Sequence, residues 1–299
     1  MEIRKDRSPC LCVSVAIRLR VLCGLRVRHS TMNRVRLGAV SYLNARPLVY
    51  GLEREPRFDL RYDIPSECAR LLHAHSIDVG LIPSIEYLRG PQPYAFVPGP
   101  AVTSRGPVAS VAIYTRVDPG DIRSIAMDTS SRTSVALSTV LLSRVFGASP
   151  EAVPMAPDLD AMLARADAAL IIGDNALFLN PQSDRNPQSA IRKIDLGELW
   201  TESTGLPFVY AVWAGWPGAL DQNDVSLLRK ARDEGVANAD EVARAYYPAD
   251  GGRQAVARRY LRDNIRYVLG DDELEGLGTF YRYAADLGLV SFDGSLRFF

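Results

Sequence analysis

The stretch Ser124-Ile125-Ala126-Met127-Asp128-Thr129-Ser130-Ser131-Arg132-Thr133-Ser134 decides how this chain is read. It opens on a short apolar run and passes through a turn crowded with hydroxyls. It then continues into Val135, Leu137, Val140, Leu141 and Val145, which keep a helical spacing. The order is strand, turn, helix. Backbone N–H groups without partners gather at a helix start, and Ser and Thr add donors that rotate to suit a ligand. Arg132 contributes a planar, permanent positive charge. The stretch is therefore expected to seat an anion such as a carboxylate, with Ser130, Ser131, Arg132, Thr133 and Ser134 as candidate contacts. The plainer alternative is an N-cap, which needs one hydroxyl where this turn offers five.

Working outward, the same unit repeats. Val35–Val40 reads as a strand followed by the loop Ser41-Tyr42-Leu43-Asn44-Ala45-Arg46, and Pro47 suits the first turn of a helix. Phe58–Ile64 is a strand, Pro65 and Ser66 open a helix, and Ile77–Ile82 is a near-continuous apolar strand of the kind buried in parallel sheets. Residues 90–107 are rich in Pro and Gly and read as a winding connection before a strand at Ser110–Thr115. After strand 124–127 and helix 133–146, Gly147 provides a helix stop. A strand near Glu151–Met155, a helix Leu159–Ala166 and a strand Ala168–Ile172 lead to the loop Gly173-Asp174-Asn175. Residues 180–190 are polar and irregular, and Pro207–Ala214 is one more strand. The tail reads as helices at 222–236, 238–247, 252–268 and 271–287. Alternation of this kind argues for an α/β fold. Two α/β halves joined by two crossings predict a bilobed molecule, with 34–110 and 212–299 in one lobe and 111–211 in the other. Its ligand cleft should be lined by loops at strand ends.

At 299 residues with 47% hydrophobic and 23% charged residues, the chain can bury a sizeable core and is not a disordered or coiled-coil composition. The formal charge is zero, but residues 1–31 hold seven Lys or Arg against two acidic residues, which leaves 28 against 33 in the rest. A body with that balance does not suit nucleic acid. Cys10, Cys12 and Cys23 fall in the same first segment. Cys68 alone lies in the body, which fits a reducing cytoplasm. Arg18 and Arg20 interrupt the early apolar run, so it is too short and too charged to span a membrane. Met32 precedes a natural first strand. Residues 1–33 are expected to be a loose extension, or to lie ahead of the true start.

Several loops should converge on the cleft, carrying Ser41 and Asn44, Ser84, Ser110, Ser130 to Ser134, and Gly173 with Asp174. Thr204 and Gly205 could join them, and Arg46 could add a second cation. Each has a plainer reading: Asn44, Ser84 and Asp174 could each cap a helix, and Ser110 could simply begin a strand. His29, His73 and His75 are the only histidines, and none is placed to act as a base. No phosphate-binding glycine loop follows a strand, and no His-Glu-x-x-His motif or carboxylate cluster suggests a metal. Neither cofactor nor metal is expected, nor an obligate protein partner.

Four segments resemble chorismate dehydratase of the futalosine route to menaquinone. They are Gly38-Ala39-Val40-Ser41-Tyr42-Leu43-Asn44, Asp78-Val79-Gly80-Leu81-Ile82-Pro83-Ser84, Asp128 to Ser134, and Leu170-Ile171-Ile172-Gly173-Asp174; Thr204-Gly205-Leu206-Pro207-Phe208 is similar too. The resemblance spans about 34–215. It implies a type II periplasmic-binding-protein-like fold used as a cytoplasmic enzyme that removes water from chorismate. It also implies that the family's catalytic asparagine and serine fall on Asn44 and Ser110. The serine match rests on the looser pattern Gly106-Pro107-Val108-Ala109-Ser110. Two alternatives stay open at this point. One is a non-catalytic binding protein for a small carboxylate on the same fold. The other is the naphthoate-forming synthase later in the same route, which would be expected to need a histidine base.

Overall fold

The computed structural model describes residues 34–179 and 191–299, and Arg34–Phe299 form one compact unit. The expectations for 1–33 and 180–190 lie outside the described residues. In chain order the elements are β1 (Val35–Val40), β2 (Phe58–Asp63), α1 (Pro65–His73), β3 (Val79–Pro83), β4 (Ala95–Ser104), β5 (Val111–Thr115), β6 (Ser124–Asp128) and α2 (Arg132–Phe146). There follow β7 (Glu151–Met155), α3 (Leu159–Arg165), β8 (Ala168–Ile172), α4 (Gly173–Leu177), β9 (Arg192–Asp195) and α5 (Leu196–Thr204). The last are β10 (Phe208–Gly215), α6 (Gln222–Ala237), α7 (Ala239–Tyr246), α8 (Gly251–Arg259), β11 (Arg266–Val268) and α9 (Asp271–Asp286).

The strands form two mixed sheets, in the orders β11-β4-β10-β3-β1-β2 and β7-β6-β8-β5-β9. Helices pack on both, as expected for a bilobed α/β fold. β1 pairs in parallel with β2 and β3, while β10 runs antiparallel to both β3 and β4. The chain thus leaves the first sheet after β4 and re-enters it through β10. All of β3, β5 and β8 is buried, which is why these stretches are apolar without alternation. The strand-turn-helix unit at 124–146 forms as the pattern predicts. Gly147, in the left-handed region at φ 66°, closes α2.

Three expectations need correction. Residues 95–104 are a strand, not a loose connection. Pro98 and Pro100, which lack an N–H, and Gly99 are tolerated because the pairing of β4 with β10 and β11 shifts register around them. The helix expected at 252–268 instead ends at Arg259 and runs into a π-helical turn, Tyr260–Asn264, after which β11 adds to the edge of β4. Pro47 does not open a helix but sits inside a 3₁₀ turn, Leu43–Val49, that begins right after Tyr42.

That turn is held from outside. α6 starts with a capping box, in which Asp221 accepts from Asp224 N at 2.9 Å and Asp224 accepts from Asp221 N at 3.1 Å. The Asp224 carboxylate, 1% exposed, also takes a bidentate pair from Arg57 at 2.7 Å and 2.7 Å. With α6 so fixed, Gly235 lies against the Pro47 backbone, where a Cβ would collide with the Pro47 carbonyl oxygen. Burial raises the Asp224 carboxyl, but the Arg57 hydrogen bonds, the Asp221 N–H and the Arg57 charge outweigh it and hold the carboxyl below its ordinary value. Its stabilising contribution is therefore present above the ordinary aspartate range and is lost as pH falls through the folded value. Asp224→Asn should cost about 2–3 kcal/mol at neutral pH. Urea melts of variant and parent should differ at pH 7, and the gap should narrow as pH falls below the ordinary aspartate range; a gap independent of pH would contradict this account.

Candidate active site

A cavity of about 40 Å³ lies where β1, β3, β5, β8 and β10 present their ends. Its polar lining comes from Tyr42, Asn44, Ser110, Ser131, Ser134 and Tyr210, and its walls from residues such as Val40, Leu81, Val102, Val108 and Ile172. Among the described residues, none of the lining side chains is charged.

Asn44 arrives on the 3₁₀ turn, which no side chain caps, so capping is not its task. The preceding amide, Leu43 N, donates to Asp174 Oδ1 at 3.3 Å. Tyr42 packs against Gly173, whose φ of 63° and close approach to the ring both require the missing side chain.

Ser110 sits one residue before β5, and its carbonyl accepts from Gly173 N at 2.8 Å. The loop before it is tied down at each residue. Gly106 N donates to Thr201 Oγ1 at 2.8 Å, Val108 N to Asp195 Oδ1 at 3.0 Å and Ala109 N to Asp195 Oδ2 at 2.7 Å. Ala109 is held at φ 64°, a conformation that costs a residue with a side chain roughly 1–2 kcal/mol. Over-determination by Asp195 makes that conformation tenable.

The hydroxyl-rich turn divides by direction. Ser131 and Ser134 face the cavity and bond to each other, Ser134 Oγ to Ser131 Oγ at 3.2 Å. Ser131 is the N-cap position of α2, yet no side chain bonds to the first-turn N–H groups there. The remaining hydroxyls are spent elsewhere. Ser130 Oγ donates to Asp128 Oδ1 at 2.6 Å and accepts from the Tyr42 hydroxyl at 3.0 Å. Thr133 Oγ1 accepts from Ile85 N at 3.1 Å and lies 3.4 Å from Ser84 Oγ, which donates to Val209 O at 2.8 Å. Ser84 and Thr133 are fully buried and stand outside the cavity lining, where they join elements.

Arg132 is also committed. Its Nη1 pairs at 2.7 Å with Glu86, a fully buried carboxylate that also contacts Arg89 at 3.0 Å and His73 at 3.0 Å. Burial raises the Glu86 carboxyl, but His73, Arg132 and Arg89 together outweigh it and hold it below its usual range. Ser41, Arg46 and Asp174 line a wider, open pocket beside the cavity, with Tyr42 as shared wall. Arg46 stacks over Tyr62 with its guanidinium carbon 4.3 Å from the ring centroid, and Asp174 accepts from the Tyr246 hydroxyl at 2.6 Å. Burial, only partly offset by Tyr246 and Leu43 N, raises the Asp174 carboxyl. Thr204 Oγ1 bonds back to Trp200 O at 2.7 Å and Gly205 ends α5, so both serve that helix. His73 and His75 engage Glu86 and Trp216, respectively.

The candidates thus gather as Asn44, Ser110, Ser131 and Ser134, with Ser41, Ser84, Ser130, Arg132, Thr133 and Asp174 bonded around them. Tyr42 and Tyr210 were not singled out by the sequence. Tyr42 lies inside the quoted Ser41–Asn44 motif, while Tyr210 sits in an apolar strand without a polar signal.

Among proteins of known structure, one from Archaeoglobus fulgidus is 17% identical with a TM-score of 0.68, covering 88% of this chain and 100% of its own. A Candida albicans protein with the generic periplasmic binding protein fold is 12% identical with a TM-score of 0.60, covering 87% and 92%. The alkanesulfonate-binding protein of Xanthomonas axonopodis is 16% identical with a TM-score of 0.52, covering 87% and 94%. These likenesses show the fold, a bilobed type II periplasmic-binding-protein-like architecture. The family model for menaquinone biosynthesis matches residues 35–286. Chorismate dehydratase of Thermus thermophilus is 33% identical over 268 residues, spanning 85% of this chain and 95% of that relative. The chain belongs to the chorismate dehydratase family of menaquinone biosynthesis.

Proposed function

We propose that this chain is a hydro-lyase that converts chorismate to 3-[(1-carboxyvinyl)oxy]benzoate and water, the first step of the futalosine route, in the cytoplasm and without metal or cofactor. Family membership supports the reaction. The observation that carries the site assignment is a cavity lined, among the described residues, by amide and hydroxyl groups and apolar walls, with no charged side chain. Such a site can orient a substrate and stabilise shifting charge, yet it offers no side chain basic enough to take a proton from carbon.

The proton acceptor is then best placed on the substrate. Its enolpyruvyl carboxylate takes the proton from the ring carbon that bears the ether. The C–H electron pair forms the new ring double bond, and the neighbouring C–O bond breaks. The departing hydroxide takes up the proton to leave as water. Aromatisation drives the step. Asn44 and Ser110 hold the carboxylate and the leaving hydroxyl in a reactive alignment, which is where most of the acceleration would arise. Ser131, Ser134 and the uncapped N–H groups of α2 seat the ring carboxylate.

Small-ligand pockets begin at roughly 300 Å³, well above the present cavity of about 40 Å³. Admission of chorismate requires parting of the two sheet-bearing halves, assigned as 34–110 with 212–299, and 111–211. Contacts that would break include Arg132 with Glu86, Thr133 with Ile85 N, and Ser66 N with Ser130 O at 3.0 Å.

Asn44→Ala should lower kcat on chorismate by about 10²-fold or more while KM changes little. The measurement is loss of the diene absorbance under steady-state conditions, and near-parental turnover would remove Asn44 from the role. Ser131→Ala should do the reverse, raising KM by about tenfold for a lost hydrogen bond to a charged group, with kcat affected less. If purified parent protein leaves the diene untouched over hours, a carboxylate-binding role replaces the enzymatic one.

A further inference from the structure

Behind the two residues assigned to catalysis lies a third polar group that does not line the cavity. Tyr260 is 2% exposed, and its hydroxyl lies 2.7 Å from Ser110 Oγ. The Asn44 side chain lies near enough to act on the same phenol, lowering its pKa against the larger effect of burial. One phenol therefore touches a hydroxyl from the loop before β5 and lies near an amide from the 3₁₀ turn after β1, which are 66 residues apart in the chain. Buried polar groups need partners, but a partner shared between these two side chains is a specific arrangement.

The local backbone explains how Tyr260 reaches this spot. α8 does not run on as an α-helix. It widens into the π-helical turn Tyr260–Asn264, in which Ile265 N donates to Tyr260 O at 3.2 Å. Insertions of this kind re-aim a side chain and recur at functional sites. The same turn is tethered to the serine's own loop, since Asn264 Nδ2 donates to Pro107 O at 2.9 Å. The π turn and the Ser110 loop are thus joined at two points, one side chain to side chain and one side chain to backbone.

We infer that Tyr260 is a positioning residue for the dehydration, joining Asn44 and Ser110 into one hydrogen-bonded chain behind the cavity. The inference rests on the reading of Asn44 and Ser110 given above. Asn44 donates from its amide nitrogen to the phenol oxygen, and the phenol donates its single proton to Ser110 Oγ. That polarity turns the Asn44 carbonyl oxygen and the Ser110 hydroxyl proton toward the substrate. Each link polarises the next, so Ser110 becomes a stronger donor than an isolated serine. Burial, more than any other influence, raises the Tyr260 pKa. The phenol accordingly keeps its proton throughout the working range, and the direction of the chain does not reverse with pH.

The test is Tyr260→Phe in the full chain, which keeps the ring and its packing and removes only the hydroxyl. Steady-state kinetics on chorismate should show kcat lower by tenfold or more with KM within about threefold of the parent, and the melting temperature nearly unchanged. Placed on Ser110→Ala, the same substitution should lower kcat at least threefold less than it does in the parent, because only its action through Asn44 remains. An equal loss of kcat in both backgrounds would show a merely structural contribution and overturn the inference, as would a parental kcat for Tyr260→Phe alone. If Tyr260→Phe does not fold, Asn264→Ala, which frees the π turn from Pro107, takes its place with the same pair of backgrounds. There a threefold or larger loss of kcat in the parent background that vanishes on Ser110→Ala supports the inference, and equal or absent losses overturn it. Failure of the parent protein itself to consume chorismate would count against the reaction rather than against the tyrosine.

Discussion

One carboxylate fixes the geometry on which the site depends. Asp195 accepts from four backbone N–H groups: Val108 and Ala109 at 3.0 Å and 2.7 Å, and Gly197 and Glu198 at 2.9 Å and 3.1 Å. The last two are the free ends of α5, so the same side chain caps a helix and clamps the loop that carries Ser110. Without it the left-handed Ala109 would relax, and Ser110 would lose its register with Gly173. Ser110, Gly173, Tyr42 and Asn44 form one sequence of contacts, and that sequence begins at Asp195.

The fold was legible because its signals are local. Strand-turn-helix units show in hydrophobic period and in caps such as Gly147, and these need no knowledge of the rest of the chain. β4 was not legible, because Pro98, Gly99 and Pro100 argue against a strand locally and only the bulged pairing with β10 and β11 makes room for them. The end of α8 failed in the same way. Val256, Tyr260, Ile265 and Val268 keep a helical spacing, but Arg266–Val268 pairs with the edge of β4 instead of continuing a helix.

The site was half legible for a related reason. Residue type identified the turn at 128–134 and the Asn44 motif, while direction is set by partners far away. Arg132 looks like a free cation until Glu86 is placed beside it, 46 residues earlier. Ser131 and Ser134 face inward while Ser130 and Thr133 bond to the surrounding frame, a distinction that follows from helix geometry at the start of α2. Tyr260 carried no functional signal at all, since a tyrosine at helical spacing reads as core and its hydroxyl partner lies 150 residues away.

The uncharged lining of the cavity has a consequence for affinity. In the proposed reaction the substrate enters with two negative charges, and the one that serves as base meets hydroxyl and amide groups but no guanidinium or ammonium. Taking an anion from water into such surroundings is unfavourable, and a nearby cation would recover part of that cost while making the carboxylate a poorer base. With Arg132 held on Glu86, the proposed reaction would trade tight ground-state binding for a reactive carboxylate. The product of that reaction would still bear both carboxylates, so the same weak hold would favour its departure.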